Sequence, residues 1–233
     1  MENILLPSTI AFAPGATASE GTLIIEPFFY GYGRTLGNAM RRVLLSSLPG
    51  AAVTAVKIKG VQHEFTAITG VLEDALQVIL NLKGLRLKVH SENPIKLMLK
   101  KSGKGPVTAS DIEANADVEI MNPDLHLATI TDDKLDFEME ITVGRGRGYS
   151  PTEEREPSGE LGVIAMDALF SPVRNVGFKV EPTRVGEITD YDKLVMNIET
   201  DGTVSPQEAV KQSVAILLDH YNLIAQHLDA PKE

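Results

Sequence analysis

Cysteine and tryptophan are both absent from this sequence. The first absence excludes disulfides, cysteine nucleophiles and thiolate metal sites together, and it suits a reducing compartment. Aromatic residues make up only 5%, so the core must be assembled from Leu, Ile, Val, Ala and Met. Positive charge is also scarce: 22 Lys and Arg against 32 Asp and Glu give a formal net charge of −10. An acidic chain repels a phosphate backbone, which argues against tight nucleic-acid binding by the chain as a whole and leaves room only for a local basic patch. No stretch approaches the roughly 18 consecutive apolar residues of a membrane helix. The opening Met1-Glu2-Asn3-Ile4-Leu5-Leu6-Pro7 puts an acid where a signal peptide carries its basic region, and Pro7 and Pro14 interrupt the apolar run. The expectation is a cytoplasmic chain with no membrane partner.

What remains is a sequence of ordinary hydrophobic content, 43% over 233 residues, enough for one or two compact units. Thr22–Glu26 reads as a strand ended by Pro27. A glycine turn at Gly31-Tyr32-Gly33 leads into a helix over Thr35–Leu48, with Leu36, Met40, Val43, Leu44 and Ser47 at helical spacing and Pro49-Gly50 as its stop. Val53–Ile58 reads as a strand. Val71–Lys83 reads as a helix with Leu72, Ala75, Leu76, Ile79 and Leu80 on one face, Glu73 and Asp74 in its first turn and Lys83 in its last. Alternation then predicts strands at Leu85–Val89, Ile95–Leu99, Val118–Ile120 and Leu135–Val143. Gly144–Gly162, rich in glycine, proline and charge, reads as a surface loop. Strands resume at Val176–Val180 and Leu194–Ile198.

The last element is the best defined. Ser205-Pro206-Gln207-Glu208 has the form of a capping box with proline at the first helical position. Beyond it Val210, Val214, Leu217, Tyr221, Ile224 and Leu228 step by alternating fours and threes, the pattern of a helix-packing seam. Ile216, Leu218, Leu223 and Ala225 widen that stripe, and a helix apolar over so wide an arc needs more than one packing partner. The second partner is either its own core or a helix of another chain.

Several fragments imitate catalytic motifs and fail on spacing. Gly31, Gly33 and Gly37 follow a strand and open a helix, but a dinucleotide fingerprint needs its third glycine at the position of Leu36. Ser102-Gly103-Lys104-Gly105-Pro106 is not a phosphate loop; with Lys100 and Lys101 it reads as a basic exposed loop suited to an acidic protein surface. Gly144-Arg145-Gly146-Arg147-Gly148-Tyr149 is similar to arginine–glycine nucleic-acid segments, yet one copy in an acidic chain is better read as a flexible loop whose arginines pair with partner carboxylates. His63, His90, His126, His220 and His227 form no metal-binding motif, and no nucleophile elbow occurs. Neither metal nor cofactor is expected. A nucleotide-dependent enzyme using the glycine turns and a nucleic-acid module using the Arg145–Arg147 segment are the competing function classes.

Thr35-Leu36-Gly37-Asn38-Ala39-Met40-Arg41-Arg42-Val43-Leu44-Leu45-Ser46-Ser47 resembles the signature helix of the bacterial RNA polymerase alpha subunits. The resemblance continues, in order, through Val61–Phe65, Ile79–Lys83, Lys104–Ala109, Asp117–Ile120, Arg145–Tyr149, Phe170–Val173 and Asp192–Val195. It implies an α+β fold: a discontinuous α/β dimerisation domain from residues 1–50 and 174–233, and an inserted mostly-β domain, 51–173, that contacts the large subunits. It implies a non-catalytic subunit of a nucleotidyltransferase, a homodimer that nucleates assembly of the beta and then the beta-prime subunit for transcription, located with the polymerase at the nucleoid.

Residue by residue, the resemblance assigns Arg42 and Leu45 to beta contact, together with the basic loop at Lys104 and the segment at Arg145 and Arg147. Lys83 and Met166 are assigned to beta-prime contact. The dimer interface would draw on Leu36, Met40, Val43 and Leu44 of the first helix and on Val210, Val214, Leu217, Tyr221, Ile224 and Leu228 of the last. Arg41 and Arg42, adjacent on one helix, cannot share an azimuth, so one can reach a partner while the other solvates; both being solvated is the plain alternative. Phe28-Phe29-Tyr30-Gly31-Tyr32-Gly33 is more aromatic than the family stretch. Asn115-Ala116-Asp117 is similar to the opening of the large subunit's magnesium loop, but Val118-Glu119-Ile120 replaces its spaced aspartates, so no magnesium site is expected. The family continues past the equivalent of Ala230-Pro231 into a DNA-binding domain; no direct DNA contact is expected from the residues present.

Overall fold

The computed structural model describes residues 4–155 and 159–229. The opening Met1-Glu2-Asn3, the middle of the expected Gly144–Gly162 loop at 156–158 and the end at Ala230-Pro231 lie outside them. The chain divides into two compact units: Met1–Leu48 with Pro172–Glu233, and Pro49–Ser171. These divisions fall two residues before those read from the resemblance. Every strand pairing is antiparallel, and the fold class is α+β.

The first unit begins with β1 (Thr9–Pro14), β2 (Glu20–Phe28) and α1 (Tyr32–Ser46). The second unit runs from β3 (Pro49–Ile58) through α2 (Ala75–Leu82), β4 (Leu87–Val89), β5 (Ile95–Ser102), β6 (Gly105–Thr108), β7 (Val118–Ile120), β8 (His126–Ile130), β9 (Asp136–Arg147), β10 (Tyr149–Ser150) and β11 (Val163–Ala165) to β12 (Ala168–Leu169). The chain returns to the first unit with β13 (Val173–Val185), β14 (Ile188–Thr200) and α3 (Pro206–Asp229).

In the first unit the sheet order is β1-β2-β14-β13. Its inner face presents Leu23, Met196, Ile198, Val173 and Val176 to Met40 and Leu44 of α1 and Ala209 of α3. Pro27 does not end β2, as the sequence suggests; it sits past the last residue paired with β1 and opposite a bulge in β14, places where a missing N–H costs no ladder bond. The β13–β14 hairpin is longer at its turn end than the alternation predicts. From Glu181 to Lys193 no residue of the hairpin is buried, so the apolar alternation fades while backbone pairing continues to Val185↔Ile188. A two-residue Gly186-Glu187 turn closes it, with Gly186 at φ 62°.

α1 starts at Tyr32, earlier than expected, because Gly31 takes φ 82° and turns the chain directly into the helix. The helix lies on the hairpin through glycines. A Cβ at Gly37 would come within 2.9 Å of Leu194 Cδ1 and 2.8 Å of the Phe178 ring, and one at Gly33 within 2.9 Å of Asp192 Cβ. Asp192 accepts the Gly33 N–H (3.1 Å) and so satisfies one of the orphan donors of the helix start.

The second unit is built on the sheet β11-β3-β9-β5, with α2 and the pairs β4–β7 and β6–β8 enclosing one core. Leu82, Leu99, Leu127, Ile130, Met139 and Ile141 are among its fully buried members. α2 is shorter than predicted. Val71 and Leu72 are bound to Ile130 and Thr129 instead of to a helix, and Asp74 is the N-cap, its carboxylate accepting Gln77 N–H at 2.7 Å. The buried face is Ala75, Val78, Ile79 and Leu82, which corrects the predicted one by leaving Leu76 and Leu80 outside.

Glu73, expected in the helix's first turn, reaches across to β8. It accepts the Thr129 N–H (2.6 Å), the Thr129 hydroxyl (3.0 Å) and His126 Nε2 (2.8 Å). Burial pushes its carboxyl up, but the His126 and Thr129 hydrogen bonds outweigh burial and hold it below the ordinary value. A carboxylate with a lowered folded pKa stabilises above its unfolded pKa and loses that contribution as pH falls through the folded value. Glu73→Ala should therefore destabilise the chain by about 1–3 kcal/mol near neutrality by leaving the Thr129 N–H without a partner. Chemical denaturation of both proteins as a function of pH should show the two curves converging in acid, below the ordinary glutamate range.

Candidate assembly surfaces

α3 changes character along its length. Ser205 Oγ accepts the Glu208 N–H (3.2 Å) as its cap, while the Glu208 carboxylate turns to Gln212 (3.3 Å) and Lys211 (3.8 Å) instead of completing the box. Ala209 and Ser213 are fully buried, and Val210, Ile216 and Leu217 pack half-buried on the sheet core. From there on the helix has no cover. Tyr221, Leu223 and Ile224 are 57%, 57% and 56% exposed, Leu218 52% and Leu228 80%. Val214, at the start of the bare stretch, is 37% exposed.

Of the residues expected at a dimer interface, Val214, Tyr221, Ile224 and Leu228 thus face solvent, and Leu36, Val43, Val210 and Leu217 are half-buried. Met40 and Leu44 are corrections. They are 5% and 0% exposed, sealed under α1 in the unit's own core, and a side chain with no free surface cannot face a second chain. Leu218 and Leu223, which widen the apolar arc in the sequence, are exposed as well.

On α1, Arg42 is exposed and Leu45 half-buried against the core. The two adjacent arginines do diverge. Arg41, with Arg34 and Asn38, lines a groove whose other wall is Glu181, Asp190 and Asp192 of the hairpin; Arg42 does not line it. This groove is also where a nucleotide would meet the glycine turn. The Asp192 carboxylate already occupies the helix start there and would repel a phosphate.

In the second unit the Arg145–Arg147 segment is not a flexible loop. Gly144–Arg147 completes β9, pairing with Pro49–Ala52 of β3. Arg145 and Arg147 are exposed, two residues apart and so on one face of the strand. Gly146 faces the other way because the Phe170 ring lies on it: a Cβ there would stand 2.5 Å from Phe170 Cδ2. The glycines that suggested flexibility serve close packing. The basic loop is likewise a tight turn between β5 and β6. Lys101 is paired with Asp111 (2.8 Å) and Lys100 with Glu113 (3.7 Å), while Lys104 at the tip is exposed.

Lys83 caps the C-terminal end of α2, with its ammonium 3.7 Å from Asp167 Oδ2. Beside it the outer side of α2 presents Leu76 and Leu80, with Leu72 just before the helix, all exposed. Met166 is a further correction. It is 2% exposed, a member of the second unit's core; its backbone is held by Thr54 (2.9 Å) and by the Arg155 guanidinium. Its neighbour Asp167 carries the exposed chemistry at this point of the chain.

Among the described residues no cluster of three or more His, Cys, Asp or Glu is arranged to hold a metal ion. Asp117 donates its N–H to Asn115 Oδ1 (2.9 Å) in a turn that leads into β7. No helix of the described residues is long and apolar enough to cross a membrane.

Residues 56–171, almost the whole second unit, match the family described as RNA polymerase Rpb3/RpoA insert domain. A DNA-directed RNA polymerase subunit alpha of Herpetosiphon aurantiacus is 48% identical over 225 residues, covering 97% of this chain and 67% of that protein. The chain belongs to the DNA-directed RNA polymerase alpha-subunit family. Two other alpha subunits, of Alkaliphilus oremlandii and Oceanobacillus iheyensis, are 50% and 49% identical over 209 and 207 residues, covering 89% and 88% of this chain and 66% of each relative. The chain spans about two thirds of the length of these alpha-family relatives.

The alpha-family stretch at Arg145–Arg147 gives a direct test of the packing argument. Phe170 is 7% exposed, so its ring has little room to swing away from a side chain at 146. Gly146→Val should cost about 1–3 kcal/mol by overpacking. Thermal unfolding should show a midpoint lower by several degrees, and adding Phe170→Ala should restore part of the difference relative to Phe170→Ala alone.

Proposed function

We propose that the chain is a non-catalytic scaffold subunit of a DNA-directed RNA polymerase, which pairs with a second copy and then recruits the two large subunits. The observation that carries this reading is the bare second half of α3, where apolar side chains stand exposed on several sides of the helix. A contiguous apolar surface on a helix end is costly in water and marks an interaction site. A second copy of the same helix covers it with the complementary surface that a two-fold interface requires. Leu36 and Val43 of α1, half-buried, add apolar surface to the same unit.

The partner contacts follow from what remains outside. Arg42 is an exposed, permanently charged fork able to bind a carboxylate of a beta subunit bidentately, with Leu45 beside it. Arg145, Arg147 and Lys104 offer further positive charge to the same class of partner. Lys83, next to the exposed Leu76 and Leu80, offers beta-prime a cation on an apolar rim. Family membership supports these assignments, and the net charge of −10 disfavours a direct role in holding DNA.

Ile224→Glu should place a charge in the dimer seam. The expected outcome is a monomer of unchanged circular dichroism, read as a halved mass by light scattering at micromolar concentration; a dimer of unchanged mass counts against the pairing. Arg42→Ala should leave the dimer intact and weaken capture of the beta subunit about ten-fold, as loss of a charge-assisted contact does. Equal capture by mutant and wild type in a titration would remove Arg42 from the interface.

A further inference from the structure

We propose that Asp167 is a positioning residue, holding Lys83 in place on a contact surface for a large polymerase subunit. The inference rests on the reading of Lys83 as a contact residue given above. Asp167 follows the buried Met166 and so has a fixed backbone. Its carboxylate ties two segments of the second unit together. Oδ1 accepts the Thr152 N–H at 3.1 Å and Oδ2 lies 3.7 Å from the Lys83 ammonium, while the carboxylate charge also acts on the nearby Tyr149 phenol. The Thr152 hydrogen bond first, with Lys83 and Tyr149 adding to it against partial burial, holds this carboxyl below its ordinary range, so it stays ionised in mild acid. Partial burial and then the Asp167 charge push the Tyr149 phenol up.

The exposure of these groups says what the cluster is for. Lys83 and Asp167 side chains are 42% and 38% exposed, and ion pairs this open to solvent contribute little to folding. Their effect is on geometry. A lysine free to sample its rotamers loses that freedom when an interface forms; one already held by a carboxylate loses less. Tyr149 is 62% exposed and stands opposite Leu169, 65% exposed, in the β10–β12 register. The surface therefore offers a pre-aimed cation beside an aromatic and an aliphatic side chain, a composition typical of the residues that dominate protein interfaces.

Asp167→Asn isolates the claim. It keeps an oxygen for the Thr152 N–H and the shape of the side chain, and removes only the charge that holds Lys83. Alpha dimer already carrying beta is titrated with beta-prime, using wild type, Lys83→Ala, Asp167→Asn and the double variant, with thermal unfolding of each. The expected result is a loss of affinity of about five-fold for either single variant and no more than that for the double, because both remove one coupled contact, with unchanged unfolding midpoints. Wild-type affinity for Asp167→Asn, a multiplied loss of about 25-fold in the double variant, or a lowered midpoint matching the loss of binding overturns the positioning role while leaving the Lys83 contact standing. Wild-type affinity for Lys83→Ala overturns the contact itself, and the inference with it.

Discussion

The first unit depends on how closely α1 can approach the β13–β14 hairpin. With Gly33 and Gly37 turned to the sheet there is no space for even a methyl group between helix and hairpin, and the Asp192 carboxylate fixes the helix start from the same strand. That close seat lets Met40 and Leu44, further along α1, reach the sheet core beside Leu23 and Ile198. α3 then has only part of that core left to cover. Its first three turns do so through Ala209, Val210, Ser213, Ile216 and Leu217. Among the described residues of this unit, nothing covers the apolar side chains of the remainder of the helix. The exposed apolar stretch is thus a consequence of a tightly closed core, not of a loosely packed one.

The second unit uses glycine in the same way. Phe170 rests on Gly146 as Phe178 rests on Gly37, so in both units an aromatic ring replaces a side chain on a neighbouring element. This device suits a chain with few aromatics: each ring closes a contact that would otherwise need several aliphatic residues. It also frees the opposite face of β9 at that point, where Arg145 and Arg147 are held by a paired strand instead of a mobile loop. An arginine on a strand loses less conformational freedom on binding than one on a loop, so the correction from loop to strand strengthens the proposed role of these residues.

Much of this was legible in the sequence. The capped start of α3, the long alternation of β9 and the apolar spacing of α1 follow directly from periodicity, and the run of matching segments gave the α+β class and the family. The differences share one cause. Gly144–Arg147 has the glycines of a loop, but Gly146 is small because the Phe170 ring packs against it in a paired strand. Val71–Glu73 has the charge and apolar spacing of a helix start, but Thr129 and Ile130 capture that segment across the fold. Met40, Leu44 and Met166 have the spacing or family position of contact residues, yet they are buried in their own unit. Each case turns on a contact between residues far apart in the chain, which a local pattern does not carry. The Glu73–His126–Thr129 cluster and the Asp167 junction are illegible for the same reason.

On the proposed reading, pairing through α3 raises a question of symmetry. A two-fold interface makes the two copies equivalent, so each surface offered to a large subunit is offered twice. Two different partners can still divide the pair, because the exposed surface around Arg42 and Leu45 on α1 and the surface around Lys83 and Tyr149 in the second unit are built from different residues. Neither surface needs to change when the other is occupied. On this reading the asymmetry must then come from the partners, since each copy offers both surfaces. The chain so read contributes two chemically unlike surfaces, each fixed by packing to the core of its own unit, and a single apolar seam presents them in duplicate.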